Sequence, residues 1–169
     1  VKGWATEVSQ EVSYLGVQVH GGMGFVEETG AAQFMRDARI STIYEGTTAI
    51  QANDLVGRKT IRDNGSEMQR LLSDIRATVV EQSSSDLAPM AKSLAAACDD
   101  LEQTVQWVLA HYQDDPRAAG AASVNYLMQA GTVVGGWLML QSAAIAQEKQ
   151  DEDSSFYSAK RVTAQFYFE

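Results

Sequence analysis

One stripe of apolar residues most constrains this chain: Leu87, Met90, Leu94, Cys98, Leu101, Val105, Val108 and Tyr112, spaced by threes and fours. That period belongs to one face of an α-helix, and about 26 residues of it make a rod of roughly 39 Å. Only two prolines occur in 169 residues, so little interrupts long helices. From Ser66 the same spacing is carried by Met68, Leu71, Leu72, Ile75 and Val79. Asp86 is the expected N-cap of the central helix, with Pro89 in its first turn, where a missing N–H costs little. Asp115-Pro116 starts the next helix, whose expected stripe is Val124, Leu127, Gly131, Val134, Leu138 and Ile145. Asp151-Glu152-Asp153 breaks it before a last segment with Phe156, Tyr157, Val162 and Phe166. The expectation is an all-α fold, an antiparallel helical bundle packed by ridges and knobs.

Within that bundle, Gly131 and Gly135, four apart, are expected to admit a neighbouring backbone. Cys98, inside the stripe, reads as core. Trp107 and Trp137 read as core or interface. His111 stands at a helix end, where it favours the helix dipole. The most apolar stretch, Ala130 to Ala146, is about 17 residues long and carries Thr132, Gln141 and Ser142, which is short for a membrane span; it reads as a buried helix.

Charge and glycine divide the chain. Residues 1–62 hold six Lys/Arg and seven Asp/Glu, while residues 63–169 hold seven and fifteen; eight of the 13 glycines precede residue 60. The boundary falls at Asp63-Asn64-Gly65, giving a nearly neutral, loop-bearing segment 1–62 and an acidic helical extension 63–169. A net charge of −9 argues against a phosphate-backbone binder, so no nucleic-acid partner is expected. One cysteine leaves no intrachain disulfide, and with two histidines no metal site is expected. No apolar signal segment opens the chain, and Val1 in place of an initiator Met reads as a cut inside a longer chain. The expected location is cytoplasmic.

The neutral segment carries the candidate chemistry. A helix over residues 4–19, with Trp4, Val8, Val12, Leu15 and Val19 on its apolar face, runs out at Gln18-Val19-His20-Gly21-Gly22-Met23-Gly24-Phe25. Three glycines in four residues permit positive φ and close approach of a ligand to backbone N–H groups; an ordinary helix-ending loop has the same composition. Further on stands Arg36-Asp37-Ala38-Arg39-Ile40-Ser41-Thr42-Ile43-Tyr44-Glu45-Gly46-Thr47. Thr47 or Thr48 is the expected cap of the next helix. Glu45 sits in a loop beside an aromatic and an aliphatic run, which is compatible with a desolvated general base or with a solvated turn glutamate.

Together, Gln18 to Phe25, Glu27-Glu28, Arg36-Asp37-Ala38-Arg39 and Ile43 to Thr47 closely resemble, in order and spacing, the C-terminal region of the FAD-dependent acyl-CoA dehydrogenases. The match is specific over about residues 4–60. Gly30 to Gln33 and Gln51 to Lys59 resemble the long subfamily, which adds a C-terminal helical extension and includes the 3-methylmercaptopropionyl-CoA dehydrogenases. The resemblance implies that Glu45 is the catalytic base, removing the α-proton of an acyl-CoA thioester while the β-hydrogen passes as hydride to flavin N5, to give a trans-2-enoyl-CoA. It also implies that the Glu45 N–H and a ribityl hydroxyl of FAD bond the thioester carbonyl.

Gln18, Gly21 and Gly22 match the motif that holds the FAD adenosine and pyrophosphate across a subunit interface, and Thr47 matches a further FAD contact. Ala49 departs from the polar residue common two positions after that threonine. Arg36 and Asp37 are expected to order the loop before Tyr44. The resemblance implies an acyl-CoA substrate, a homo-oligomer (dimer or tetramer) and electron-transfer flavoprotein as acceptor. The other readings are a catalytically inactive helical oligomerisation module, for the isolated fragment, and an acyl-CoA oxidase-type relative.

Overall fold

The computed structural model describes residues 1–169 and contains helices and turns without a strand. The helices are α1 (Lys2–Val19), α2 (Gly22–Phe25), α3 (Ala31–Arg39), α4 (Thr48–Asp54), α5 (Ser66–Gln82), α6 (Ala88–His111), α7 (Pro116–Glu148) and α8 (Ser154–Tyr167). Single 3-10 turns, Glu27–Thr29 and Ile40–Thr42, flank α3, and α4 continues into a π-helical segment, Leu55–Ile61. The all-α expectation holds.

The central stripe is the core. Leu87, Leu94, Cys98, Leu101, Val105 and Val108 are buried, against Leu72 and Ile75 of α5 and Tyr126, Val133, Leu140 and Ala143 of α7. Burial pushes the Cys98 thiol above its ordinary pKa, as expected of a packing residue. Arg76 of α5 bridges to α6 through Asp99 and Glu102, each at 2.7 Å.

Asp63 closes the turn the sequence marked. Its carboxylate accepts the N–H groups of Gly65 (3.0 Å) and Glu67 (3.1 Å) and the hydroxyl of Ser66 (3.3 Å). These bonds, the one from Glu67 foremost, hold its pKa below the ordinary value. Asp115 and Asp153 cap α7 and α8 by accepting backbone N–H groups.

α7 is the shared spine, packing against α1, α4, α5, α6, α8 and the π segment. Trp4 of α1 lies over Gly131 so closely that an added Cβ would fall 2.2 Å from its Cγ. The Trp4 indole N–H donates to Thr132 Oγ1 at 3.2 Å, and the Tyr167 hydroxyl of α8 donates to the Thr132 carbonyl at 2.9 Å beside Gly135. The two glycines thus admit an indole and a phenol rather than a backbone. Ser123 donates to Asn53 Oδ1 at 3.3 Å. The Thr60 hydroxyl donates to the Leu55 carbonyl at 2.9 Å, so Tyr126 is the donor in the buried 2.9 Å Tyr126–Thr60 bond. That pair fixes the π segment to α7.

Several expectations are corrected. Asp86 does not cap α6; Ser85 Oγ accepts the Leu87 N–H at 3.1 Å, because a tight turn precedes the helix and places the serine hydroxyl there. On α7, Val124, Leu138 and Ile145 are exposed, while Ala119, Ser123, Tyr126, Val133 and Leu140 are buried. A helix with neighbours on several sides has no single stripe to read. On α8, Phe156, Val162 and Phe166 are exposed and Ala164 is the buried contact. On α1, Val12, Leu15 and Val19 are exposed.

Candidate active site

The loop at Ile43–Thr47 follows a 3-10 turn and precedes α4. Glu45 has φ 53 and Gly46 has φ 98, a left-handed pair that costs nothing at the glycine and is strained at the glutamate. One distant and one nearby side chain hold this backbone. Lys2 at the start of α1 donates from Nζ to the Tyr44 carbonyl at 2.6 Å and lies 5.0 Å from the centroid of the Tyr44 ring. Gln51 on α4 donates from Nε2 to the carbonyls of Glu45 (3.3 Å) and Gly46 (3.4 Å). Lys2 was not singled out from the sequence, since a bond across 42 positions leaves no local pattern; Gln51 stood out there only by family likeness, without this role.

Glu45 itself is exposed, as are Ile43 and Tyr44 beside it. The aromatic and aliphatic flank therefore does not desolvate the carboxylate within these residues. Thr47 occupies the N-cap of α4 without a side-chain cap bond, and the Thr48 hydroxyl turns instead to Glu7 of α1. Arg36 does not reach the loop before Tyr44. It forks onto Glu27 with bonds of 2.9 and 2.8 Å, tying α3 to the turn before it, and Asp37 accepts from Gln33. Arg39, the last residue of α3, is the one that reaches the Thr42 hydroxyl in the turn before Tyr44.

The second motif closes the far end of α1. Gly21 has φ 58 and ψ −140, a backbone that only glycine adopts readily. A Cβ on Gly24 would lie 2.2 Å from the Val17 carbonyl oxygen, so that glycine is required by close packing on α1. Gly22 meets neither demand: its φ is ordinary and the space around it is open. Gln18, Gly21, Gly22 and Thr47 are all exposed. An open, glycine-lined backbone fits the approach of a dinucleotide phosphate group, and the residues present are compatible with one edge of an FAD site.

The structure does not bring the two motifs together. Lys2, which holds the Glu45 loop, and Gln18 stand sixteen positions apart on one uninterrupted helix, about 24 Å along its axis. A groove of about 450 Å³ between α1, the π segment, α5 and α7 is lined by Trp4, Leu55, Met68, Leu127 and Val134, among others, and Glu45 is not on its wall. No helix is long and apolar enough to cross a membrane.

A helical C-terminal domain with a Tyr-Glu-Gly-Thr loop and a Gln-x-x-Gly-Gly turn defines a class, and comparison with known families agrees. The model described as "Acyl-CoA dehydrogenase, C-terminal domain" matches residues 1–61, and that described as "Acetyl-CoA dehydrogenase C-terminal like" matches residues 71–169. The chain belongs to the acyl-CoA dehydrogenase family. It is 47% identical to 3-methylmercaptopropionyl-CoA dehydrogenase of Ruegeria pomeroyi, over 99% of this chain and 29% of that protein. It is 32% identical to the broad-specificity linear acyl-CoA dehydrogenase FadE5 of Mycobacterium tuberculosis, again over 99% of this chain and 29% of that protein. The caffeyl-CoA reductase-Etf complex subunit CarC of Acetobacterium woodii is 42% identical over 30% of this chain and 13% of that protein. The chain thus spans under a third of the length of the relatives that it matches throughout.

Proposed function

We propose that this chain is the C-terminal part of an FAD-dependent acyl-CoA dehydrogenase, in which Glu45 is the base for α,β-dehydrogenation of an acyl-CoA thioester to a trans-2-enoyl-CoA. The observation that carries the reading is the Glu45 loop: a carboxylate held in left-handed backbone, with the carbonyls of three successive residues engaged by Lys2 and Gln51. Such fixing is what a general base requires, since a proton is transferred only over a short, set distance. The Glu45 carboxylate takes the α-proton as the Cα–Cβ double bond forms. The Glu45 N–H donates to the thioester carbonyl and stabilises the negative charge that develops there. Bound flavin supplies the acceptor for the β-hydrogen and its electron pair.

Gln18, Gly21, Gly22 and Thr47 are the residues proposed to hold FAD. The separation along α1 supports an arrangement in which the Gln18–Gly22 turn serves the site of a second subunit, in a dimer or tetramer. Electron-transfer flavoprotein is the proposed acceptor, a reading supported by a relative named as a subunit of an Etf complex. Residues 1–62 form the site-bearing segment on this reading, and 63–169 a helical extension. The exposure of Glu45 and the distance between the motifs support the further reading that the isolated chain is inactive and does not hold FAD tightly.

In the full-length enzyme, Glu45→Gln is expected to lower turnover by about 10²–10⁴-fold and to abolish bleaching of the flavin absorbance by acyl-CoA, with the flavin still bound. Normal turnover in that variant overturns the assignment of the base.

A further inference from the structure

We propose that Lys2 is a positioning residue for the hydrogen bond that receives the thioester carbonyl; the proposal rests on the reading of Glu45 given above. In a trans peptide the carbonyl and the N–H point in opposite directions, and the chain has no cis peptide. The Lys2 ammonium at 2.6 Å from the Tyr44 oxygen therefore also sets the direction of the Glu45 N–H, which faces away from it. No acceptor within the chain engages that N–H. It is a donor whose carbonyl partner is fixed and whose own hydrogen is free for an outside acceptor.

The clamp opposes a definite alternative. Rotating the Tyr44–Glu45 peptide by half a turn changes φ of Glu45 by the same amount, from 53 into the ordinary negative region. The loop thus gains backbone relief by flipping, and the flipped state turns a carbonyl oxygen toward the place where the substrate oxygen belongs. Lys2 holds the strained sense, because flipping would exchange its carbonyl partner for an N–H hydrogen. Its position 5.0 Å from the centroid of the Tyr44 ring adds a cation–π contact that ties the side chain to the same residue. Gln51 fixes the carbonyls of the next two residues, so the Tyr44–Glu45 unit is the one that depends on Lys2. A cation on the carbonyl also withdraws charge from the peptide and strengthens its N–H as a donor.

The test uses the full-length holoenzyme and Lys2→Met, with Lys2→Arg as the conservative variant. The vibrational frequency of the thioester carbonyl is read in bound enoyl-CoA product, beside steady-state kinetics. In the unmodified enzyme the bound carbonyl is expected to shift to lower frequency than in free enoyl-CoA. In Lys2→Met most of that shift should disappear and kcat should fall by about tenfold to a hundredfold, less than the cost of removing such a donor outright. KM should change less than about threefold, and Lys2→Arg should restore both the shift and kcat in large part. A folded Lys2→Met enzyme with the full carbonyl shift overturns the role of Lys2. Should Lys2→Met fail to fold, Lys2→Arg decides alone: a shift lost despite a retained cation overturns the proposal. Absence of any shift in the unmodified enzyme overturns the reading of the site itself, so the two failures are distinguishable.

Discussion

Residues 1–62 and residues 63–169 use the same secondary structure for opposite ends. Four of the six residues with positive φ, Gly21, Gly30, Glu45 and Gly46, lie in the first segment, and the other two, Asn64 and Gly65, form the turn at the boundary; the extension beyond that turn consists of helices joined by short turns. Among buried apolar residues only Ala52 and Val56 precede residue 63, whereas most of the large exposed ones, from Val12 and Leu15 through Phe25, Phe34 and Ile43, do. The extension supplies most of the core, to which Val56 of the first segment also contributes. The first segment instead leans on α7 through Trp4, Asn53 and Thr60 and leaves its apolar surface uncovered. Regular packing in one part thus permits strain and exposure in the other, where a site requires them.

The sharpest way to break this comparison is Gly131→Ala. A methyl group there collides with Trp4 at its rigid base rather than its tip, and overpacking of this kind costs about 2 kcal/mol. Hydrogen exchange should show α1 and α4 losing protection while α5 and α6 retain theirs; equal loss in α5 and α6 would mean that the two parts unfold as one.

Tyr126→Phe tests the same dependence more gently. Removing the donor to Thr60 is expected to cost about 1 kcal/mol in chemical denaturation. It also carries a pH signature. Burial pushes the Tyr126 hydroxyl above its ordinary value of 10.0. A folded state that favours the protonated phenol keeps this contribution below pH 10.0 and loses it as pH rises through the higher folded value. The phenylalanine variant should therefore lose less stability above about pH 10, leaving the slope due to Tyr167, which burial shifts in the same direction. An unchanged alkaline profile would remove Tyr126 from the account.

The smallest effect is expected inside the extension. Arg76→Gln breaks the partly exposed bridge to Asp99 and Glu102 at about 0.5 kcal/mol, a difference that should shrink in high salt. A loss well above that would show the extension to be less self-sufficient than its packing implies.

How much of this was legible follows from the same division. The α6 stripe was read residue by residue because that helix offers one face to one core, and Asp63, Asp115 and Asp153 announced their turns by type and place. The stripes of α7 and α8 were misread because burial on several sides, or through an alanine, leaves no amphipathic trace. The Tyr-Glu-Gly-Thr and Gln-x-x-Gly-Gly residues stood out by family likeness. The support from Lys2 did not, since its bond depends on how α1 is brought to the Tyr44 loop; Gln51 and Arg39 stood in the family-like motifs, but their side-chain bonds to nearby residues left no mark in the sequence. Of the two readings left open for Glu45, a desolvated base or a solvated turn glutamate, these residues by themselves give the solvated turn, as nothing among them covers the loop.

The uninterrupted run of α1 between the two motifs has a consequence for its length. Each residue added to or removed from it turns one end against the other by about 100° and shifts it by about 1.5 Å. On the proposed reading of Glu45 and Gln18, the helix is thus a ruler as well as a support, and its tolerance to insertion is set by what must be spanned between them rather than by its modest burial.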